Sequence, residues 1–289
     1  MAGLAMAPTG QGFGALVEGL DIPRATGSEL DQCRQWLFEH GALFIRGQEL
    51  DPQAQIDFAE ALGTIVVNRF FTPVPGFPKV AQLLTEPTQD WIIGENWHTD
   101  HSYDVVPALG SILYAVEVPP VGGDTQFIGM QPAYDSLPPD LKERIEGLMA
   151  RHESAHIFAP SEAIRLEEAA ERNDGNYMER AATYPEAVHP VVLSHPETGR
   201  KGLYVNPEFT TGIVDMDKEE GDALLQQLYD HILQPQFRYV WKWQPGSLAL
   251  WDNRSTWHKA MNDHRGHRRL MRRITLEGVP LDQGARAAA

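Results

Sequence analysis

One cysteine in 289 residues excludes an intrachain disulfide. Cys33 stands as a lone thiol, which fits a reducing compartment. Positive charge is also scarce, since 24 lysines and arginines face 40 acidic residues for a formal net charge of −16. A surplus of that sign repels phosphate backbones, so nucleic acid is not an expected partner. It does not exclude a small anionic ligand, which answers to local arginines. Long apolar runs are missing too: none approaches the roughly 20 residues that span a bilayer. Met1–Ala7 has neither a basic n-region nor a sustained apolar core, so neither a signal peptide nor a membrane partner is expected. Internal repeats and linkers are absent from the pattern. The expectation is a cytoplasmic protein with one domain over 1–289 and ample material for a core.

Periodicity supplies the elements. A short strand is predicted inside Gly12–Asp21, then a helix over Gly27–His40 with Leu30, Cys33, Trp36 and Leu37 at three- and four-residue steps. Gly41 fits its stop, and Ala42–Gly47 reads as a buried strand. Asp51-Pro52 is a helix start, leading to Phe58, Ala61 and Leu62. Residues 64–96 are rich in aromatics and prolines, and are expected to be irregular and to form a lid over the segment that begins at Trp97. Strands are predicted over 110–118 and 126–128, on either side of a Pro119–Thr125 turn. Helices are predicted over 139–150 and over 218–233, the latter capped by Asp217, and 237–243, 247–251 and 269–277 are β-like. The fold class is therefore mainly β with helices (α+β), a mostly antiparallel sheet structure with helical insertions.

Chemistry gathers around Trp97-His98-Thr99-Asp100-His101-Ser102-Tyr103. On an extended strand alternate side chains leave one face, which aims His98 and Asp100 at one spot. His258, in Trp251-Asp252-Asn253-Arg254-Ser255-Thr256-Trp257-His258, is the best third ligand. Two histidines and one carboxylate on one side of a metal suit a non-haem Fe(II) oxygenase. Downstream, Arg269, Met271 and Arg273 share one strand face. Two planar guanidiniums there suit two separate anions held bidentately. A competing motif is His152-Glu153-Ser154-Ala155-His156, which satisfies the H-E-x-x-H pattern of zinc metallopeptidases. It needs one helix to carry both histidines, yet it falls where the 139–150 helix is ending. A metal-binding protein without turnover is a further alternative. His101, His264 and His267 are read as surface or supporting residues.

His98-Thr99-Asp100, Gly122-Gly123-Asp124-Thr125, Trp251-Asp252-Asn253-Arg254 ahead of His258, and Arg269 with Arg273 together resemble the taurine dioxygenase / 2,4-dichlorophenoxyacetate dioxygenase family. The resemblance runs from about Gly12 to Gly278, with the motifs in the family's order. It implies a double-stranded β-helix (jelly-roll) core and a dioxygenase that uses Fe(II), 2-oxoglutarate and O₂, releasing succinate and CO₂. His98, Asp100 and His258 would be the iron ligands, and Thr125 and Arg269 would hold the distal carboxylate of 2-oxoglutarate. Arg273 would meet an anionic group on the substrate. An aspartate at 100, where related halogenases carry a small residue, implies hydroxylation. Taurine enzymes carry histidine, tyrosine and asparagine where this chain has Asn68, Phe71 and Gly94. With Phe71, Phe158 and Phe209 as candidate pocket residues beside Asn68, a small anion with an apolar or aromatic body, such as a phenoxyalkanoate, fits better than taurine. The resemblance also implies a homo-oligomer, dimeric or tetrameric.

Overall fold

The computed structural model describes residues 3–67, 71–157 and 185–281. Strands β1 (Ala5–Pro8) and β2 (Ala15–Glu18) pair antiparallel ahead of helix α1 (Gly27–His40). Both ends of α1 are written locally. Thr26 and Glu29 form a capping box, and Gly41 stops the helix at a left-handed φ of 76°. Cys33, Leu37 and Phe38 make its buried stripe. β3 (Ala42–Ile45) leads to α2 (Pro52–Leu62), where the Asp51 carboxylate accepts from the Ala54 N–H and Pro52 occupies the first turn.

The stretch expected to be irregular contains β4 (Ile65–Val66), β5 (Pro73–Val74) and β6 (Phe77–Thr85). β5 and β6 form a hairpin turned at Gly76, whose φ is 81°. The prolines at 73, 75 and 78 lie at the hairpin and near strand ends, where a missing N–H is tolerated. Beyond β6 the chain is irregular over 86–109, before β7 (Gly110–Glu117).

β8 (Thr125–Gly129), α3 (Met130–Asp135) and α4 (Pro139–Ile145) come next. α4 ends five residues earlier than the predicted 150, because Glu146 is extended and Gly147 takes φ 76°. The chain then enters β9 (Met149–Glu153). β10 (Glu186–Pro190), β11 (Val192–Ser194), β12 (Lys201–Leu203) and β13 (Thr210–Ile213) precede α5 (Lys218–Ile232), capped by Asp217 as its sequence requires. β14 (Arg238–Trp241), β15 (Leu248–Asp252), β16 (Thr256–Ala260) and β17 (Arg269–Leu276) complete the order.

The major sheet has nine strands, in the order β1-β2-β3-β15-β7-β17-β6-β5, with β4 pairing to β17. Its pairings are antiparallel apart from β2 with β3. A second sheet, β14-β8-β16, faces it. Between the two lie Phe44, Leu113, Ala115, Phe127, Trp241, Ala249, Trp251 and Met271. The alternate residues Leu43, Ile45, Ile112, Tyr114, Leu248 and Leu250 leave the other face of the major sheet and meet α1 and α2. Because both faces are covered, β3 and residues 248–251 of β15 are apolar rather than alternating. Each large side chain so buried contributes about 1.5–3 kcal/mol. Ile128 and Trp257, on the outer face of the second sheet, pack with α3, α4 and α5. Two facing, mainly antiparallel sheets flanked by helices form the double-stranded β-helix, whose open mouth holds the candidate site. Among the described residues no helix is long and apolar enough to cross a membrane.

Candidate active site

His98 does not sit on a regular strand. It forms an isolated antiparallel bridge with His258 of β16, each donating its backbone N–H to the other's carbonyl at 3.1 and 3.0 Å. The chain then turns, with the Thr99 hydroxyl donating to the Thr256 carbonyl at 3.1 Å, and the turn delivers Asp100. The two imidazoles and the carboxylate converge. Asp100 Oδ1 is 3.4 Å from His98 Nε2, and Asp100 Oδ2 is 3.5 Å from His258 Nε2. All three residues are buried, and among the described residues they are the group placed to hold a metal ion, with ligand atoms within 4.8 Å of one another. His98 Nδ1 donates to the Asn96 carbonyl at 2.8 Å, which turns Nε2 toward Asp100. His258 is fixed differently, by the Trp251 ring at 4.6 Å and Phe127 at 6.1 Å.

The turn that carries the chain from β15 in one sheet to β16 in the other is held by a buried charge cluster. Asp252 accepts from Arg254 Nε at 2.9 Å and Nη2 at 2.7 Å, and from His195 Nε2 at 2.9 Å. Burial alone would raise the Asp252 carboxyl, but Arg254 and His195 hold it far below the usual carboxylate range. The Thr256 hydroxyl closes the turn on the Asp252 carbonyl at 2.8 Å. The Trp-Asp-Asn-Arg motif thus sets the register from which His258 points inward.

Electrostatics within the triad divide the histidines. Burial would raise the Asp100 carboxyl, yet Arg273 and then His258 pull it well below its ordinary value, so it is ionised. Burial also disfavours a charged His98, but the hydrogen bond and charge of Asp100, with the Asn96 carbonyl and the Glu208 charge, together outweigh this and raise its pKa. At His258 burial prevails over the attraction of Asp100, aided by His98 and Arg273, and the imidazole is held neutral. A carboxylate and a neutral imidazole are ready ligands.

Arg269 and Arg273 leave β17 on one face, as the alternation predicts, and that face is buried. Arg269 Nε donates to the Gly123 carbonyl at 3.2 Å, while its buried Nη2 has no hydrogen-bond partner among the described residues. Burial lowers its pKa to about 10. Gly123, at φ 70°, lets this contact form, since a Cβ there would lie 3.3 Å from Arg269 Cδ. Thr125 starts β8 beside it, its hydroxyl accepting from Trp243 Nε1 at 2.9 Å. Arg273 Nη2 donates to Asp100 Oδ2 and, at 2.8 Å, to Ser111 Oγ, and its guanidinium lies 5.7 Å from the Trp251 ring.

These groups line one cavity of about 170 Å³. Its remaining wall is largely apolar, with Phe71, Leu83, Trp91, Ile92, Tyr103 and Phe209 prominent. An apolar cavity of roughly 150 Å³ accommodates a benzene ring. Of the candidate pocket residues, Phe71 and Phe209 line this cavity, whereas Asn68 and Phe158 lie outside the described residues. His101 was set aside by sequence as pointing away, yet it is buried, lines the cavity at φ 57° and contacts Asp104 Oδ2 through Nδ1 at 2.9 Å. His264 is buried and His267 exposed. Ser111 was missed because a serine in an apolar strand carries no signal until its partners are known.

The zinc-peptidase alternative fails on geometry. His152 and Glu153 are consecutive on β9, so their side chains leave opposite faces. His152 is packed against His189 and Tyr204, and His156 Nε2 donates to the Glu208 carbonyl at 2.8 Å. No single helix carries both histidines, and the three side chains share no site.

Comparison with known proteins gives the same direction. The family model described as "Taurine catabolism dioxygenase TauD, TfdA family" matches residues 5–275. An alkylsulfatase of Acinetobacter baylyi is 34% identical over 273 residues, covering 92% of this chain and 82% of the relative. An (S)-phenoxypropionate/alpha-ketoglutarate-dioxygenase of Sphingobium herbicidovorans is 33% identical, covering 98% of each. Among solved structures, a putative alpha-ketoglutarate-dependent taurine dioxygenase from Burkholderia xenovorans superposes with a TM-score of 0.78 at 30% identity, over 96% of this chain and 93% of that one.

Proposed function

Because the chain belongs to the TauD/TfdA family of Fe(II)- and 2-oxoglutarate-dependent dioxygenases, we propose that it hydroxylates a small organic anion with an apolar or aromatic body. The observation that carries this reading is the pairing, in one cavity, of Arg273 with a wall of aromatic and aliphatic side chains. Named relatives act on phenoxypropionate and, by name, alkyl sulfates, both apolar bodies ending in an anion.

The residues fit the family's cofactors. His98, Asp100 and His258 would hold the iron by a two-nitrogen, one-oxygen set that leaves the opposite side open. Arg269, with its buried unpartnered Nη2, and Thr125 would hold the distal carboxylate of 2-oxoglutarate. Bound there, iron would let O₂ act as the oxidant while 2-oxoglutarate supplies two electrons by its decarboxylation, one oxygen atom passing to succinate and the other to the substrate, with CO₂ released. The chain does the rest. Arg273 fixes the substrate's anionic end, the aromatic wall fixes its body, and Trp91–Asn96 closes over the metal face in the role of a lid. Orientation of the target carbon at the ångström scale then decides which C–H bond is attacked. Hydroxylation beside an ether or ester oxygen would make the product split. A taurine-type reading lacks support in an apolar wall with phenylalanine at 71.

The test is anaerobic titration with Fe(II) and 2-oxoglutarate, which is expected to give a weak visible charge-transfer band. Succinate release is then scored over phenoxyalkanoates, alkyl sulfates, alkanesulfonates and taurine. Turnover of the first two classes over taurine supports the reading, and taurine as the best substrate refutes it. A cytoplasmic homo-oligomer is part of the same proposal, and sedimentation would test its assembly.

A further inference from the structure

Ser111 joins the two halves of this cavity. It lies on β7, fully buried, two residues before the cavity-lining Leu113 and on the same strand face. Its hydroxyl donates to Asp100 Oδ2 at 3.1 Å and accepts from Arg273 Nη2 at 2.8 Å. Arg273 Nη2 also donates to that same Oδ2, which in turn faces His258 Nε2 at 3.5 Å. A hydroxyl is suited to this position because it donates once and accepts as well, so it can satisfy a carboxylate and a guanidinium together. Nor can its anchor drift, since Ser111 is paired with Trp251 on one side and Thr275 on the other, in the interior of the major sheet.

We propose that Ser111 is a positioning residue, which fixes the angle at which Asp100 meets the metal and the place from which Arg273 meets the substrate anion. This role rests on the proposed metal and substrate site. If that site holds, metal binding and the state of Arg273 are coupled through one shared carboxylate oxygen, and occupation of either is felt at the other. Neither half of the cavity would then be tuned alone.

Co(II) alone is the probe, titrated into the full-length protein and followed by its d–d absorption. One-to-one binding that is lost in His258→Ala tests the metal site itself. Absence of that binding overturns both readings, whereas its presence leaves Ser111 to be judged separately. Ser111→Ala is expected to weaken Co(II) on the order of tenfold, the worth of one hydrogen bond to a charged group, and to move the absorption band. A merely structural role would lower stability without moving the band. In a double-mutant cycle with Arg273→Gln the two effects are expected to be non-additive by at least about threefold. Ser111→Thr and Ser111→Val have the same shape and differ in the hydroxyl, so they keep the test valid should Ser111→Ala fold poorly. Threonine like wild type and valine weakened supports the proposal. An unmoved band and unchanged affinity in Ser111→Ala, equal behaviour of threonine and valine, or additivity in the cycle overturns it.

Discussion

His152 offers a measurable consequence outside the candidate metal site. Its side chain is fully buried on β9, stacked among His189 at 5.4 Å and Tyr204 at 5.8 Å, with Nε2 lacking a hydrogen-bond partner among the described residues. Burial, and secondarily the neighbouring His189, lower its pKa from 6.5 to about 3. The imidazole is therefore folded in as the neutral base. A base whose pKa is depressed in the folded state leaves stability unaffected above pH 6.5. As pH falls below that value the unfolded chain takes up a proton that the folded chain refuses, so stability declines until about pH 3. With 1.36 kcal/mol per unit, the whole window is worth about 5 kcal/mol. Between pH 7.5 and 5 the loss is about 2 kcal/mol, a sizeable share of a stability of roughly 5–15 kcal/mol.

The assay is urea unfolding of wild type and His152→Leu over pH 7.5 to 5. Leucine removes the titration whatever its own packing cost, so the difference between the two proteins carries the slope and other groups cancel. The gap in unfolding free energy is expected to shift in favour of the variant by about 2 kcal/mol as pH falls to 5. A gap that stays flat across that range, or an NMR titration of the His152 ring near 6.5, refutes the reasoning.

Asp252→Asn leaves Arg254 buried and His195 without its acceptor, and is expected to cost about 3–5 kcal/mol in urea unfolding. Arg269→Gln removes the cation proposed to face the 2-oxoglutarate carboxylate. It should raise KM for 2-oxoglutarate on the order of a hundredfold in a succinate assay, with the fold intact by circular dichroism. Gly110→Ala places a Cβ 2.3 Å from the Trp251 carbonyl, in the centre of the major sheet, so a fall in Tm and loss of soluble protein are expected.

Local signals were legible wherever the chemistry is local. Thr26, Gly41, Asp51 and Asp217 mark helix ends because a cap acts within one turn. That Arg269, Met271 and Arg273 share one face followed from strand alternation alone, whereas the burial of that face did not. What failed depended on distant partners or on a single backbone torsion. Gly147 at φ 76° turns α4 into β9 five residues early, and thereby dissolves the apparent zinc motif. β6 was hidden by prolines whose cost vanishes once they fall at a hairpin and near strand ends. His101 was misplaced because strand alternation was extended past Asp100, into a turn where φ is 57°.

The His98, Asp100 and His258 triad shows how a converging residue set can follow from an incomplete picture. Two-residue spacing on a strand would by itself put His98 and Asp100 on one face. Here the backbone pairing is confined to the bridge between His98 and His258, and a turn delivers Asp100. The imidazole at 98 is aimed by its bond to Asn96, and the one at 258 by the rings of Trp251 and Phe127. The bridge itself exists because β16 is launched from a turn between the two sheets that Asp252, Arg254 and His195 hold in place. The spacing of the triad is therefore a record of tertiary structure, set by a buried ion pair as much as by strand geometry. A change at Asp252, which touches no ligand, should accordingly loosen the metal site through β16 before the fold is lost.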